Sequence, residues 1–158
     1  MEDNVDYSLL PITDRLEHKI WKVRAGAYEE LGKLFTQLDG ESTNDIAQFN
    51  KYEGYLKKMV TDANVAAQEN GVVALTKWVE SAPVPAAIRS REPVVAGVMD
   101  KCMGSNRAGI RTNSTELLLL YCALETPEPV LSRVLAGFDV RVPKAVTASV
   151  VMAREILE

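Results

Sequence analysis

The sequence predicts an all-α chain of stacked helical hairpins, and three observations carry that prediction. Apolar residues recur at three- and four-residue steps through most of the 158 residues, the spacing of one helix face. Aromatic residues make up only 6%, with nine glycines and seven prolines, a balance that suits helices better than a turn-rich β-sandwich. Finally, one frame recurs four times: a small residue followed, one turn later, by a larger apolar one.

Element by element, residues 14–38 carry Leu16, Ile20, Val23, Ala27, Leu31, Leu34 and Phe35 on one stripe. A single helix of that length is long for a globular domain, so an interruption near Trp21 is expected. Residues 40–45 form a polar break, and 52–60 a short apolar-periodic run. Asp62-Ala63-Asn64 is a turn in which Asp62 or Asn64 caps a helix over 65–79. Pro83-Val84-Pro85 separates the next helix, expected over 91–103 with Pro93 in its first turn. Gly104-Ser105-Asn106 breaks it, and an apolar helix over 110–124 follows. After Pro127 and Pro129 the expected pieces are a helix over 130–136, a loop over 138–143 and a last helix over 144–157.

The recurring frame sits in the second helix of each pair. It reads Val23-Arg24-x-x-Ala27-x-x-x-Leu31, then Ala67-x-x-x-Gly71-x-x-x-Leu75, then Ile110-Arg111-x-x-Ser114-x-x-x-Leu118, and more weakly Pro143-Lys144-x-x-Thr147-x-x-x-Val151. The small positions 27, 71, 114 and 147 lie 44, 43 and 33 residues apart. That is near the HEAT or armadillo length of ~40–47 residues, with a short last step. A HEAT-repeat α-solenoid is therefore expected, with hairpins near 14–38, 51–82, 91–126 and 128–158 behind an N-terminal extension over 1–13. An irregular helical bundle is the competing architecture.

The short loops inside the hairpins depart from the rest of the composition. The net charge is −4, yet the four loops together carry about six net positive charges, so the remainder carries about −10. The first loop, residues 19–24, has three bases, no acid and Trp21. The second, 63–68, is neutral. Arg107 and Arg111 give the third two bases, and Arg141 and Lys144 give the fourth a net positive charge. A solenoid would align these loops along one ridge, a footprint for an acidic partner. Bases at helix starts oppose the helix dipole, so Arg24, Arg111 and Lys144 each need a reason to be there. Arg24 and Arg111 either face a partner or pair with an acid of the neighbouring repeat. Lys22 and Arg107 lie in the loops proper and are expected to face solvent or a partner. Trp21 need not share the apolar face of Ile20 and Val23, which makes it an interface anchor or a core residue, with the anchor favoured. Trp78 follows Ala74 and Leu75 on the apolar stripe and reads as core.

Other chemistries are disfavoured. The acidic balance argues against nucleic acid and anionic membranes, and no apolar run is long enough to span a bilayer. The acidic N-terminus does not resemble a secretory leader. Cys102 and Cys122 sit in apolar helices, His18 is the single histidine, and no metal, cofactor or nucleophile motif is expected. A reduced intracellular compartment follows as the expectation.

At these loops the sequence resembles a known family. Residues 16–31, Leu-Glu-His-Lys-Ile-Trp-Lys-Val-Arg-Ala-Gly-Ala-Tyr-Glu-Glu-Leu, look like the first HEAT repeat of a TOG domain. They are most similar to the first, fungal-like TOG domain of the Dis1/XMAP215 microtubule polymerases. Residues 62–71 resemble that family's second loop, 105–111 its third and 142–144 its fourth. The resemblance implies a paddle of six HEAT repeats that binds curved αβ-tubulin through these loops and promotes microtubule growth at plus ends, without enzymatic chemistry. By position it implies Trp21 as the anchor on β-tubulin, with Lys22 and Arg24 beside it, and Asn64 and Val65 as the second contact. Arg107 and Arg111 would be the third, and Arg141 and Lys144 the fourth. Lysine is commoner where Arg111 stands. The implied locations are the cytoplasmic cytoskeleton, microtubule plus ends, spindle poles and kinetochores. Four hairpins instead of six would leave an apolar end face open to self-association. The alternative is a general HEAT adaptor for a kinetochore or spindle partner, using another surface.

Overall fold

The described part of the chain, which in this computed structural model comprises residues 6–124, 128–136, 152 and 154–157, is helical at 152 and 154–157 and before them contains eight bounded α-helices. They are α1 (Ile12–Leu16), α2 (Trp21–Gln37), α3 (Thr43–Tyr52), α4 (Leu56–Val60), α5 (Val65–Ser81), α6 (Val84–Lys101), α7 (Ala108–Cys122) and α8 (Glu128–Ala136). No strand occurs among the described residues, and no described helix is long and apolar enough to cross a membrane. The helices lie in two layers. α2, α5 and α7 pack side by side in one, and α1, α4, α6 and α8 cover them in the other. This is the solenoid that the periodicity predicts.

The interruption expected near Trp21 falls at residues 17–20 and has a local cause. His18 Nδ1 accepts the Ile20 N–H at 3.1 Å, which competes with helix continuation, and the Tyr7 ring meets the imidazole edge-on at 5.0 Å. The small positions of the recurring frame do what close packing requires. Ala27, Gly71 and Ser114 are buried, and a Cβ on Gly71 would meet the Met59 carbonyl oxygen at 2.3 Å. Helices α4 and α5 therefore touch backbone to backbone. Gly40 does the same after α2, since a Cβ there would meet Ser81 O at 2.1 Å. That contact sets the end of α2 beside the end of α5. Trp78 is buried as expected, edge-on to Phe49, and its indole N–H donates to Phe49 O at 3.1 Å.

Two helices differ from the sequence reading. The polar stretch 40–45 is not only a break: Ser42, extended at φ −81° and ψ 125°, leads directly into α3, with Asp45 in its first turn and Phe49 and Tyr52 buried. A Ser followed three residues later by an acid is a helix-start signal that the polarity of the segment obscured. Likewise Pro83-Val84-Pro85 opens α6 instead of separating it from what precedes. Pro85 occupies the first turn, where its missing N–H has no intrahelical acceptor, and Pro93 lies inside the helix. Ala86, Ala87, Ser90, Val94, Val95 and Val98 make its buried face. The expected loop over 138–143 lies outside the described residues, as does most of the last helix, whose Met152 is buried in the core.

Gly71 and Gly26 make a contrasting pair. Gly71→Ala is expected to lower the unfolding free energy by about 1–3 kcal/mol, because the α4 backbone must move. Gly26 is exposed in the interior of α2 with open space around its Cβ position, so Gly26→Ala should raise stability by about 0.5–1 kcal/mol. Urea titration followed by circular dichroism measures both.

Candidate functional site

The three described hairpin corners, residues 17–20, 61–64 and 102–107, follow one another along one side, and side chains bridge the first to the second and the second to the third. Arg24, in the first turn of α2, donates from Nε and Nη2 to Asp62 Oδ2 and Oδ1 at 2.8 and 2.9 Å. Its Nη1 donates to the carbonyls of His18 and Lys19 at 2.8 and 3.1 Å. One guanidinium thus ties the turn before Trp21 to the second corner. Asp62 is buried and accepts two further bonds, from the Tyr28 hydroxyl at 2.8 Å and the Asn64 N–H at 2.9 Å. Burial alone would raise the Asp62 carboxyl, but the donors from Arg24, Asn64 and Tyr28 outweigh it and hold the group below the usual carboxylate range. The Tyr28 hydroxyl is pushed well above its ordinary value, first by burial and then by the Asp62 carboxylate.

The second and third corners are joined by Gln68. Its Nε2 donates to Val60 O at 2.9 Å and Lys101 O at 3.1 Å, spanning α4 and α6 from the start of α5. The Cys102 thiol donates to the same Val60 carbonyl at 3.0 Å, and burial pushes that thiol up to about 11. Next to Gln68, Glu69 accepts from Arg107 Nε at 2.9 Å. The starts of α2, α5 and α7 consequently form one edge.

The edge holds the predicted residues as follows. Trp21 is the first residue of α2, 37% exposed, with Lys22 Nζ 5.8 Å from its ring centroid. Val65 begins α5 and is 50% exposed. Asn64 is the cap of α5, with its side-chain oxygen accepting the N–H groups of Ala66 and Ala67. Arg111 is exposed and donates to the Ser105 carbonyl. Arg107 is exposed too, yet it is ion-paired. Arg24 is the residue whose surroundings decide between the two alternatives: its guanidinium is engaged within the protein, by the neighbouring repeat. Arg141 and Lys144 lie outside the described residues.

The sequence reading missed Asp62 as a partner for Arg24 and missed Glu69 altogether. Both flank the neutral second loop, and each neutralises a base of an adjacent corner. A base placed against a helix dipole, one repeat from an isolated acid, is the signal that could have found the first pair. With Arg24 and Arg107 neutralised the ridge is less positive than the loop tally implies, and Lys19, Lys22 and Arg111 are left without an ion pair among the described residues. No cluster of three or more His, Cys, Asp or Glu side chains gathers among the described residues.

Comparison with known proteins decides the family. The model for the XMAP215/Dis1/CLASP TOG domain matches residues 6–158. This chain belongs to the XMAP215/Dis1/CLASP TOG domain family. The TOG sequence is 35% identical over 153 residues to the spindle pole body component alp14 of Schizosaccharomyces pombe, covering 97% of this chain and 19% of that protein. It is 34% identical over 150 residues to mini spindles of Drosophila melanogaster, 95% of this chain and 7% of that one. The chain thus spans less than a fifth of these relatives. Its TOG fold superposes at a TM-score of 0.81 and 25% identity, over 90% of this chain and 30% of the other, on a solved structure described as the structural basis of tubulin recruitment and assembly by microtubule polymerases with TOG domain arrays.

Breaking a buried, multiply bonded ion pair from one side leaves the other charge stranded. Asp62→Asn should therefore lower stability by about 3 kcal/mol, against about 1 kcal/mol for Tyr28→Phe. Because Asp62 titrates below its unfolded-state value of about 4, its contribution is fully present above that pH. It is lost as pH falls through the lower folded-state value. Urea titrations of wild type and Asp62→Asn at pH 7 and below pH 4 should show the gap between them closing in acid.

Proposed function

We propose that this TOG domain binds the αβ-tubulin heterodimer through the edge formed by its hairpin corners. The observation that carries the reading is the position of Trp21, a large indole half-exposed at the first residue of α2. Lys19 and Lys22 flank it, and the second and third corners continue the same edge. An aromatic anchor supplies apolar contact area while nearby cations steer an acidic partner toward it. In this reading Trp21 packs on the partner, Lys22 guides approach, Val65 extends the apolar contact, and Arg107 and Arg111 engage acidic groups further along. Asn64 and Arg24 act from within, as the cap of α5 and as the brace between corners. Arg141 and Lys144 would continue the contact from the fourth corner.

Selectivity for curved, unpolymerised tubulin requires contacts at both ends of the edge that only one tubulin shape can satisfy together. Delivery of such tubulin to a growing end would promote microtubule growth with no covalent step. The proposed setting is the microtubule cytoskeleton and spindle, in keeping with the names of the relatives.

Trp21→Ala should weaken binding to soluble tubulin by about 30-fold or more, the range of an interface hot spot. The helical circular-dichroism spectrum should stay intact, since the side chain contributes little to the core. Co-elution on gel filtration measures the binding, and wild-type affinity in Trp21→Ala or Trp21→Glu would remove the indole from this role.

A further inference from the structure

Glu69 occupies an unusual position at the third corner. Its carboxylate lies over Gly109 in the first turn of α7, where a Cβ at residue 109 would meet Oε1 at 3.0 Å and Oε2 at 3.2 Å. It accepts from Arg107 Nε at 2.9 Å, and both side chains remain accessible, at 30% for Glu69 and 47% for Arg107. The N-terminal turn of α7 contains no acidic residue, its cap residue Arg107 makes no side-chain capping bond, and Arg111 adds a second base there. This end of the helix is therefore positive from the dipole and from two guanidinium groups. Glu69 is the carboxylate that meets it, and it arrives from the neighbouring repeat. The adjacent Gln68 is buried and bonded to carbonyls on both flanking helices, so the backbone that presents Glu69 is fixed.

We infer that Glu69 is a built-in competitor for the acidic groups that the third corner recognises. It holds Arg107 in the unbound protein, so a partner carboxylate must displace it or share the guanidinium. Glu69 thereby sets affinity at this corner without contributing an attractive contact. The inference rests on the reading that the corner edge faces an acidic partner and deepens it by naming the residue that tempers the attraction. An exposed pair of this kind is worth only a modest amount. The expected consequence is tuning of affinity, not an on–off switch.

The test measures binding of the full 158-residue chain to two probes, soluble αβ-tubulin and a polyglutamate peptide. The variants are Glu69→Gln, Arg107→Gln and the double substitution, with thermal melts verifying each fold. Glu69→Gln should tighten binding to both probes about two- to fivefold at low salt, with the gain shrinking as salt rises. Arg107→Gln should weaken binding, and in that background Glu69→Gln should gain little, because the competitor acts through Arg107. Equal gains in both backgrounds would show a general surface-charge effect and overturn the inference. Unchanged binding of Glu69→Gln to both probes, including no response to either, would also overturn it. Failure of the wild type to bind tubulin, with the peptide results as expected, would sink the tubulin reading and leave the competitor in place.

Discussion

The Arg24 guanidinium joins the first hairpin corner to the second, and the position of the exposed indole depends on it. Two of its nitrogens form a fork with the Asp62 carboxylate, and the third holds the carbonyls of His18 and Lys19. Those carbonyls belong to the turn that delivers Trp21 to the head of α2. A planar, bidentate donor fixes orientation as well as distance, which a lysine at this place could not do. Tyr28 and the Asn64 amide fill further acceptor sites of the carboxylate, so the buried charges are well satisfied. The same residue that looks costly beside a helix N-terminus is therefore the brace of the edge.

Charge along this edge follows from how neighbouring repeats share it. The second loop, residues 63–68, has no base of its own, but the acids on either side of it, Asp62 and Glu69, pair with Arg24 of the first corner and Arg107 of the third. The first pair is largely buried, whereas the second is accessible. Lys19, Lys22 and Arg111 remain as cations without an ion pair among the described residues. Binding by such an edge would combine one apolar anchor with a moderate, salt-sensitive attraction, instead of the dense positive field of a nucleic-acid binder.

Much of this was legible in the sequence. The small-then-large frame at 27, 71 and 114 identified the helices that pack side by side, because close backbone approach leaves no room for a larger residue, as Gly71 against Met59 demonstrates. Trp21 is exposed and Trp78 buried, a difference in exposure that their neighbours on the apolar stripe foreshadow. Helix α3 was hidden because its exposed face is polar and only Phe49 and Tyr52 are buried. The start of α6 was hidden because proline reads first as a breaker and only in context as a first-turn residue. The side-chain partners were harder. Asp62 lies 38 residues from Arg24, and Glu69 lies 38 from Arg107. Periodicity reveals which face a residue occupies, whereas pairing across repeats depends on how the hairpins stack.

Hydrogen–deuterium exchange of the chain alone and with soluble tubulin tests the central claim, that the aligned corners are one binding edge. Exchange should slow together at residues 17–24, 61–66 and 104–111. The far ends of α2, α5 and α7 should be unaffected. Protection confined to those far ends, or to the groove between α2 and α5 around Gly32, Val73 and Lys77, with the corners unchanged, would contradict it.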